Sequence, residues 1–441
     1  MTQFPKDFLF GAATAAHQVE GNNTNSDYWT LEQVPGSDFA EPSLDAVDHY
    51  HHFAEDIGLL SKAGLNAYRF SIEWARIEPE EGRFDPAAID HYRQVLAYCR
   101  ANGVTPIVTL HHFSSPKWLI SRGGWEWEGI ETVFPRYCAY VARQLGDQME
   151  YVCTINEANM GLQVAKVAQS VLRQMGMPLQ IGLNFSDFLT NFLPPDRLES
   201  KKKAAAAFGL EDPNGIHDFL SFRTPEGNAR MLAAHAEARR QMKAISPHLK
   251  VGMSLSLYDL QAEAGGEDRA AQEWEGDFGP YRETLRADDF VGVQNYTRKR
   301  FGADGELPAP KGAELTQMGY EFYPEGIAHV VRRVADELPG KELLVTENGI
   351  ATTDDDRRIA YIRQALDGLA GCIADDLPLK GYCYWSLLDN FEWQKGFSIQ
   401  FGLIGVNRVT QTRHPKPSLT AMGEIAQDRG CVLYAAQERE E

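Results

Sequence analysis

Eight short apolar runs punctuate the chain, spaced widely enough for a helix between most of them. They occupy 9–16 (LFGAATAA), 67–72 (AYRFSI), 105–110 (TPIVTL), 151–156 (YVCTIN), 251–256 (VGMSLS), 290–296 (FVGVQNY), 343–347 (LLVTE) and 381–387 (GYCYWSL). Runs of this length, rich in aliphatic and β-branched residues, predict strands buried on both faces. The intervening segments change period. In 87–102, Ile89, Tyr92, Leu96 and Cys99 recur at near-helical spacing and Gly103 ends the pattern. Segments 48–63, 130–145, 228–245, 326–338 and 357–373 read in the same way. Strand and helix alternating eight times predict a parallel sheet, and eight units close most naturally as a single (β/α)8 TIM barrel with long loops at the carboxyl face. An open, doubly wound sheet would need a glycine-rich phosphate loop after its first strand, and GAATAAHQVEG is no GxGxxG. No linker, repeat or low-complexity run divides the chain, so residues 1–441 are expected to form one catalytic domain.

Composition narrows the partners. A net charge of −19 argues against nucleic acid and anionic membranes, and favours a neutral or weakly charged small substrate. No apolar run approaches the ~20 residues of a membrane span, and MTQFPKDFLF lacks a signal-peptide pattern. The six cysteines are scattered without a CxxC pair and read as small buried hydrophobes in a reducing, cytoplasmic compartment.

The ends of the runs carry the chemistry. Gln18, Arg69, His111, His112, Asn156, Glu157, Asn295, Tyr296, Glu347 and Trp385 each follow an apolar stretch, where a barrel enzyme holds its functional side chains. Caps and turns account for one or two such tips and for seven only poorly. Glu157 and Glu347 end different strands, and a charge at the tip of a buried strand is costly without a task or partner. Two carboxylates flanking one bond suit glycosidic cleavage, at about 5 Å for a retaining mechanism. On that reading Arg69 and Tyr296 keep Glu347 ionised as nucleophile, and Glu157, beside that charge in a drier spot, stays protonated as acid. Asn156 could hydrogen-bond the sugar 2-hydroxyl. Structural ion pairs remain the competing account, and spacing alone does not decide between them.

Longer motifs add to this. FPKDFLFGAATAAHQVEG, YRFSIEWARIEPEEG, TLHHFSSPKWL, TINEAN, VTENGI and YWSLLDNFEWQKGF resemble, in order and nearly end to end, the family-1 glycoside hydrolases, the β-glucosidase and β-galactosidase group. The resemblance implies a (β/α)8 barrel, double displacement through a covalent glycosyl-enzyme, no cofactor and no metal. It implies Glu157 as acid/base and Glu347 as nucleophile, with Arg69 and Tyr296 orienting the latter. Gln18, His112, Asn156, Glu392 and Trp393 match residues that hold glycone hydroxyls, and Trp385 matches the glycone platform. The expected substrate is a small neutral β-glycoside or oligosaccharide, with a β-glucoside first.

Several positions depart from the family pattern. Ala158 stands where a proline usually follows the acid, and Gln294-Asn295-Tyr296 where Asn-Tyr-Tyr is usual. Phe113, Ser114 and Ser115 replace Trp-Asp-Leu. The segment 160–227 is longer than usual and 257–289 shorter, which points to a remodelled aglycone side. His49, His51 and His52 read as packing or surface residues, and His111 as a neighbour of His112. Trp125 and Trp127 either line the entrance or belong to the core. Lys201–Lys203 read as a solvated helix face, and Asp354–Asp356 suit the positive end of a helix. The rival functions are a 6-phospho-β-glycosidase, a transglycosidase and, from another class, a non-catalytic sugar-binding barrel.

Overall fold

A computed structural model describes residues 3–166, 194–430 and 433. All eight apolar runs become the strands of one closed parallel barrel: β1 (Leu9–Ala13), β2 (Ala67–Ser71), β3 (Thr105–Thr109), β4 (Tyr151–Cys153), β5 (Lys250–Ser256), β6 (Phe290–Gln294), β7 (Glu342–Asn348) and β8 (Leu379–Trp385). Each pairs with its sequence neighbours, and β1 closes the ring against β8. The six expected helices form at Pro86–Ala101, His49–Ala63, Ile130–Leu145, Pro225–Ile245, Gly326–Glu337 and Asp355–Ala374. Their starts are specified locally. Asp85 accepts from Ala87 N, with Pro86 supplying the first-turn φ, and Thr224 with Pro225 does the same for a later helix. Asp354 accepts from the amides of Asp356 and Arg357, while Asp355 and Asp356 sit in the first turn.

The period of two along each strand sorts the core. Tyr68, Phe70, Leu343 and Val345 point outward into the large cluster shared with the helices, whereas Ala67, Ile107, Cys153, Phe290, Leu344 and Cys383 fill the barrel interior. Each such aliphatic or aromatic side chain, fully buried, contributes on the order of 1.5–3 kcal/mol. Arg69 shares the inward face of Ala67, so a guanidinium enters the barrel centre.

Two small sheets were not anticipated. Asp259–Ala262, Arg298–Gly302 and Gly305–Leu307 form one, and Ile404–Val406 with Arg413–Pro415 form the other. The short 257–289 link is thus a strand followed by the helices Glu267–Phe278 and Arg282–Ala287. Part of the long 160–227 segment, 167–193, lies outside the described residues, and 195–207 form a helix carrying the three lysines. Lys201 donates to Asn214 Oδ1 at 2.6 Å, and Lys203 lies 3.8 Å from Glu199.

Candidate active site

Both glutamates enter the site by breaking the strand period. Leu344 points inward and Val345 outward, so regular alternation would turn Glu347 outward. The pairing of β7 with β6 shifts register between Val345 and Glu347, and this bulge re-aims the carboxylate into the barrel mouth. On the other side, regular β4 ends at Cys153. The chain continues irregularly, with Asn156 N bonding His111 O and Ala158 N bonding Ser254 O, both at 2.9 Å. Glu157 takes a left-handed backbone with φ of 45°, unusual for a side chain other than glycine, asparagine or aspartate.

The surroundings of the two carboxyls differ. Glu347, only 3% exposed, accepts from Arg69 Nη1 on one oxygen and from the Tyr296 hydroxyl on the other at 2.6 Å. Arg69 is held by Thr109 Oγ1 (3.1 Å), the Thr346 carbonyl (3.3 Å) and Asn156 Oδ1 (2.6 Å). Glu157 is 7% exposed, and no described residue donates to its carboxylate. Burial raises both carboxyls above the usual glutamate range. At Glu347 the Arg69 charge and the bonds from Tyr296, Arg69 and Gln294 oppose that rise. At Glu157 the charges of Glu347 and Glu392 add to burial, against Arg69 alone, and its pKa goes well up. Glu347 is therefore raised rather than left at an ordinary value, and it is the more acidic of the two.

One cavity of about 160 Å³ joins them. Of the residues singled out in the sequence, Gln18, His112, Glu157, Tyr296, Glu347, Trp385, Glu392 and Trp393 line it. Arg69 and Asn156 lie beneath, fully buried. Trp385 stacks on His112 (5.6 Å, 17°) and donates from Nε1 to Glu392 Oε1 at 3.0 Å. Burial and the Glu347 charge push Glu392 up to about 7, against hydrogen bonds from Trp385 and Gln18. Gln18 Nε2 donates to the Phe391 carbonyl at 2.8 Å. Trp393 stacks parallel to His17 at 5.7 Å. His112 is held neutral by burial and the Arg69 charge, and burial keeps Tyr296 a protonated phenol.

Other residues go elsewhere. Trp125 is core, not entrance: it is 1% exposed and donates to Ser115 Oγ at 3.1 Å, because the loop after β3 folds back under Phe219. Trp127 packs half-buried against the outer core and does not line the cavity. His111 packs on Trp125 and Phe219. Asn295, although at a strand tip, donates to the Leu257 and Thr297 carbonyls, both at 2.8 Å. His49 is buried against Asp56 (2.7 Å) and the Tyr68 hydroxyl (3.0 Å). His51 and His52 lie at the surface beside Asp48 and Glu55. Phe113, Met318, Tyr320 and Phe401 also line the cavity. Phe113 had registered only as a departure, and the other three sit on loops whose sequence carries no strand-tip signal.

Known proteins are similar to this chain in sequence and fold. The sequence profile of Glycosyl hydrolase family 1 matches residues 1–170 and 287–431. The stretch left between them contains most of the long segment and the short link. A 1,4-beta-D-glucan glucohydrolase of Thermotoga neapolitana is 31% identical over 95% of this chain and 97% of its own length. The solved structure of beta-glycosidase BGL167 is 45% identical, with a TM-score of 0.86 and 97% of each chain covered. The beta-glucosidase from Thermotoga maritima, solved in complex with deoxynojirimycin, is 27% identical, with a TM-score of 0.78, covering 98% of this chain and 100% of its own. With the profile spanning most of the residues and relatives aligned almost end to end, this chain belongs to glycosyl hydrolase family 1.

Proposed function

We propose that this chain is a retaining β-glucosidase acting on terminal, non-reducing β-D-glycosides. The observation that carries this is the contrast within the carboxyl pair. Glu347 has donors on both oxygens, whereas Glu157 has none among the described residues and a pKa well above the usual range. A carboxylate held in place by two donors suits attack, and a buried, undonated carboxyl suits proton delivery.

Glu347 attacks the anomeric carbon as the glycosidic C–O bond breaks. The leaving oxygen takes the Glu157 proton. Glu157, now a carboxylate, removes a proton from water, which attacks the same carbon and releases Glu347. Asn156 donates to the 2-hydroxyl; Gln18, His112, Glu392 and Trp393 hold the remaining hydroxyls; Trp385 provides the platform. A single closed barrel whose strands come from both profile-matched stretches and from the span between them supports one catalytic unit, and the five cysteines among the described residues, all buried and without a disulfide, support a reducing cytoplasm. Proton NMR of the first product tests the mechanism: β-glucose should appear before mutarotation, and α-glucose first would rule out retention.

The glycone is uncharged. No lysine or arginine lines the cavity among the described residues, whereas Glu392 and Trp393 do. Lys395, the nearest candidate for a phosphate, is exposed on the short helical turn Trp393–Lys395. No helix among the described residues is long and apolar enough to cross a membrane.

A further inference from the structure

The chain's own departure at Gln294 acquires a purpose beneath the cavity. Arg69 has only donors, so the Asn156 side-chain atom facing its Nη2 at 2.6 Å must be the carbonyl oxygen. That oxygen also accepts from Gln294 Nε2 at 2.7 Å and Ser254 Oγ at 3.1 Å. Three donors from three strands therefore fix which way the amide points. The Asn156 nitrogen donates one hydrogen to His112 Nε2 at 3.2 Å, and no described residue takes the second. The Gln294 nitrogen is thus turned toward Asn156 and Ser254, with Glu347 close beside it.

Ser254 extends the constraint to the neighbouring residue. Its hydroxyl accepts from the Glu157 backbone N–H at 3.0 Å and lies 3.2 Å from Gln294 Nε2. Gly292 leaves room for it, since a Cβ there would meet the Ser254 Cβ at 2.7 Å. Gln294 is also the strand partner of Glu347 across the β7 bulge.

We propose that Gln294 and Ser254 are positioning residues that lock the Asn156 amide with its oxygen on Arg69 and its remaining N–H free for the 2-hydroxyl, and so sharpen this chain's discrimination at carbon 2. The proposal rests on the β-glucosidase reading. A merely structural tie would stabilise the barrel and leave discrimination at carbon 2 unchanged.

The test compares kcat/KM for p-nitrophenyl β-glucoside and its 2-deoxy analogue in the wild type and in Gln294→Met, Ser254→Ala and Asn156→Ala. The wild type should strongly prefer the glucoside. Gln294→Met and Ser254→Ala should each reduce that preference about five- to tenfold, one hydrogen bond's worth, with little further loss when either is combined with Asn156→Ala. Labelling of each variant by a 2-deoxy-2-fluoro glucoside reports an intact site. If Gln294→Met fails to fold, the small Ser254→Ala change decides. Equal losses on both substrates, or full additivity with Asn156→Ala, would overturn the pair alone. A wild type that cleaves no β-glucoside would overturn the parent reading and the pair with it.

Discussion

Tyr296, at the end of β6, donates its phenol to Glu347 Oε2 at 2.6 Å, across the bulge that turns Glu347 into the barrel. Arg69 grips the other oxygen from the opposite side of the ring. The carboxylate is thus oriented by two donors that oppose the rise in pKa that burial imposes on it. This contact separates the two glutamates chemically.

Tyr296→Phe should lower kcat on aryl β-glucosides by one to two orders of magnitude, about the loss of one strong, charge-directed hydrogen bond. Without the donor the Glu347 carboxyl rises further, so the acid limb of the kcat/KM profile should move to higher pH. An unchanged acid limb would mean that the phenol does not tune Glu347.

Glu157→Ala should affect substrates according to their leaving group. A dinitrophenolate departs without a proton and an alkoxide does not, so cellobiose hydrolysis should fall far more than dinitrophenyl glucoside cleavage. Azide should restore turnover and yield the β-glycosyl azide. Equal damage to both substrates would move the acid elsewhere.

Glu392 gives a prediction for stability. Its folded pKa is raised to about 7, above the ~4.3 of an unfolded chain. A raised acid favours the folded state fully below the unfolded value and loses that advantage as pH climbs through 7. Glu392→Gln, which cannot ionise, should therefore raise Tm relative to wild type more at pH 8 than at pH 5. A difference that is flat or shrinks over this range would contradict the assigned shift.

p-Nitrophenyl β-glucoside 6-phosphate should be a poor substrate beside the unphosphorylated glucoside, by at least a hundredfold in kcat/KM. An unpaired phosphate next to Glu392 loses several kcal/mol of solvation and gains like-charge repulsion. Preference for the phosphorylated sugar would reverse the reading of the glycone pocket.

The barrel was legible because its signals are local. Apolar runs, helical periods and capping residues such as Asp85 and Asp354 act within a few positions. Strand ends were less so: 9–16 reads as one run, yet pairing stops at Ala13 and a helical turn begins at Ala16. Eight of the residues that line the cavity were singled out from strand tips and motifs, but not the means of bringing them together. The β7 bulge and the left-handed Glu157 depend on register with neighbouring strands, which a single sequence does not encode locally. Met318 and Tyr320 arrive from a loop, and Trp125 goes to the core because Phe219, distant in sequence, covers it.

Covalent trapping tests the central claim most directly. A dinitrophenyl 2-deoxy-2-fluoro-β-glucoside forms the glycosyl-enzyme quickly, while the fluorine slows its hydrolysis. Intact mass should rise by one fluoroglucosyl group, and peptide mapping should place it on Glu347. A label on any other carboxylate, or turnover with no covalent adduct, would contradict the account.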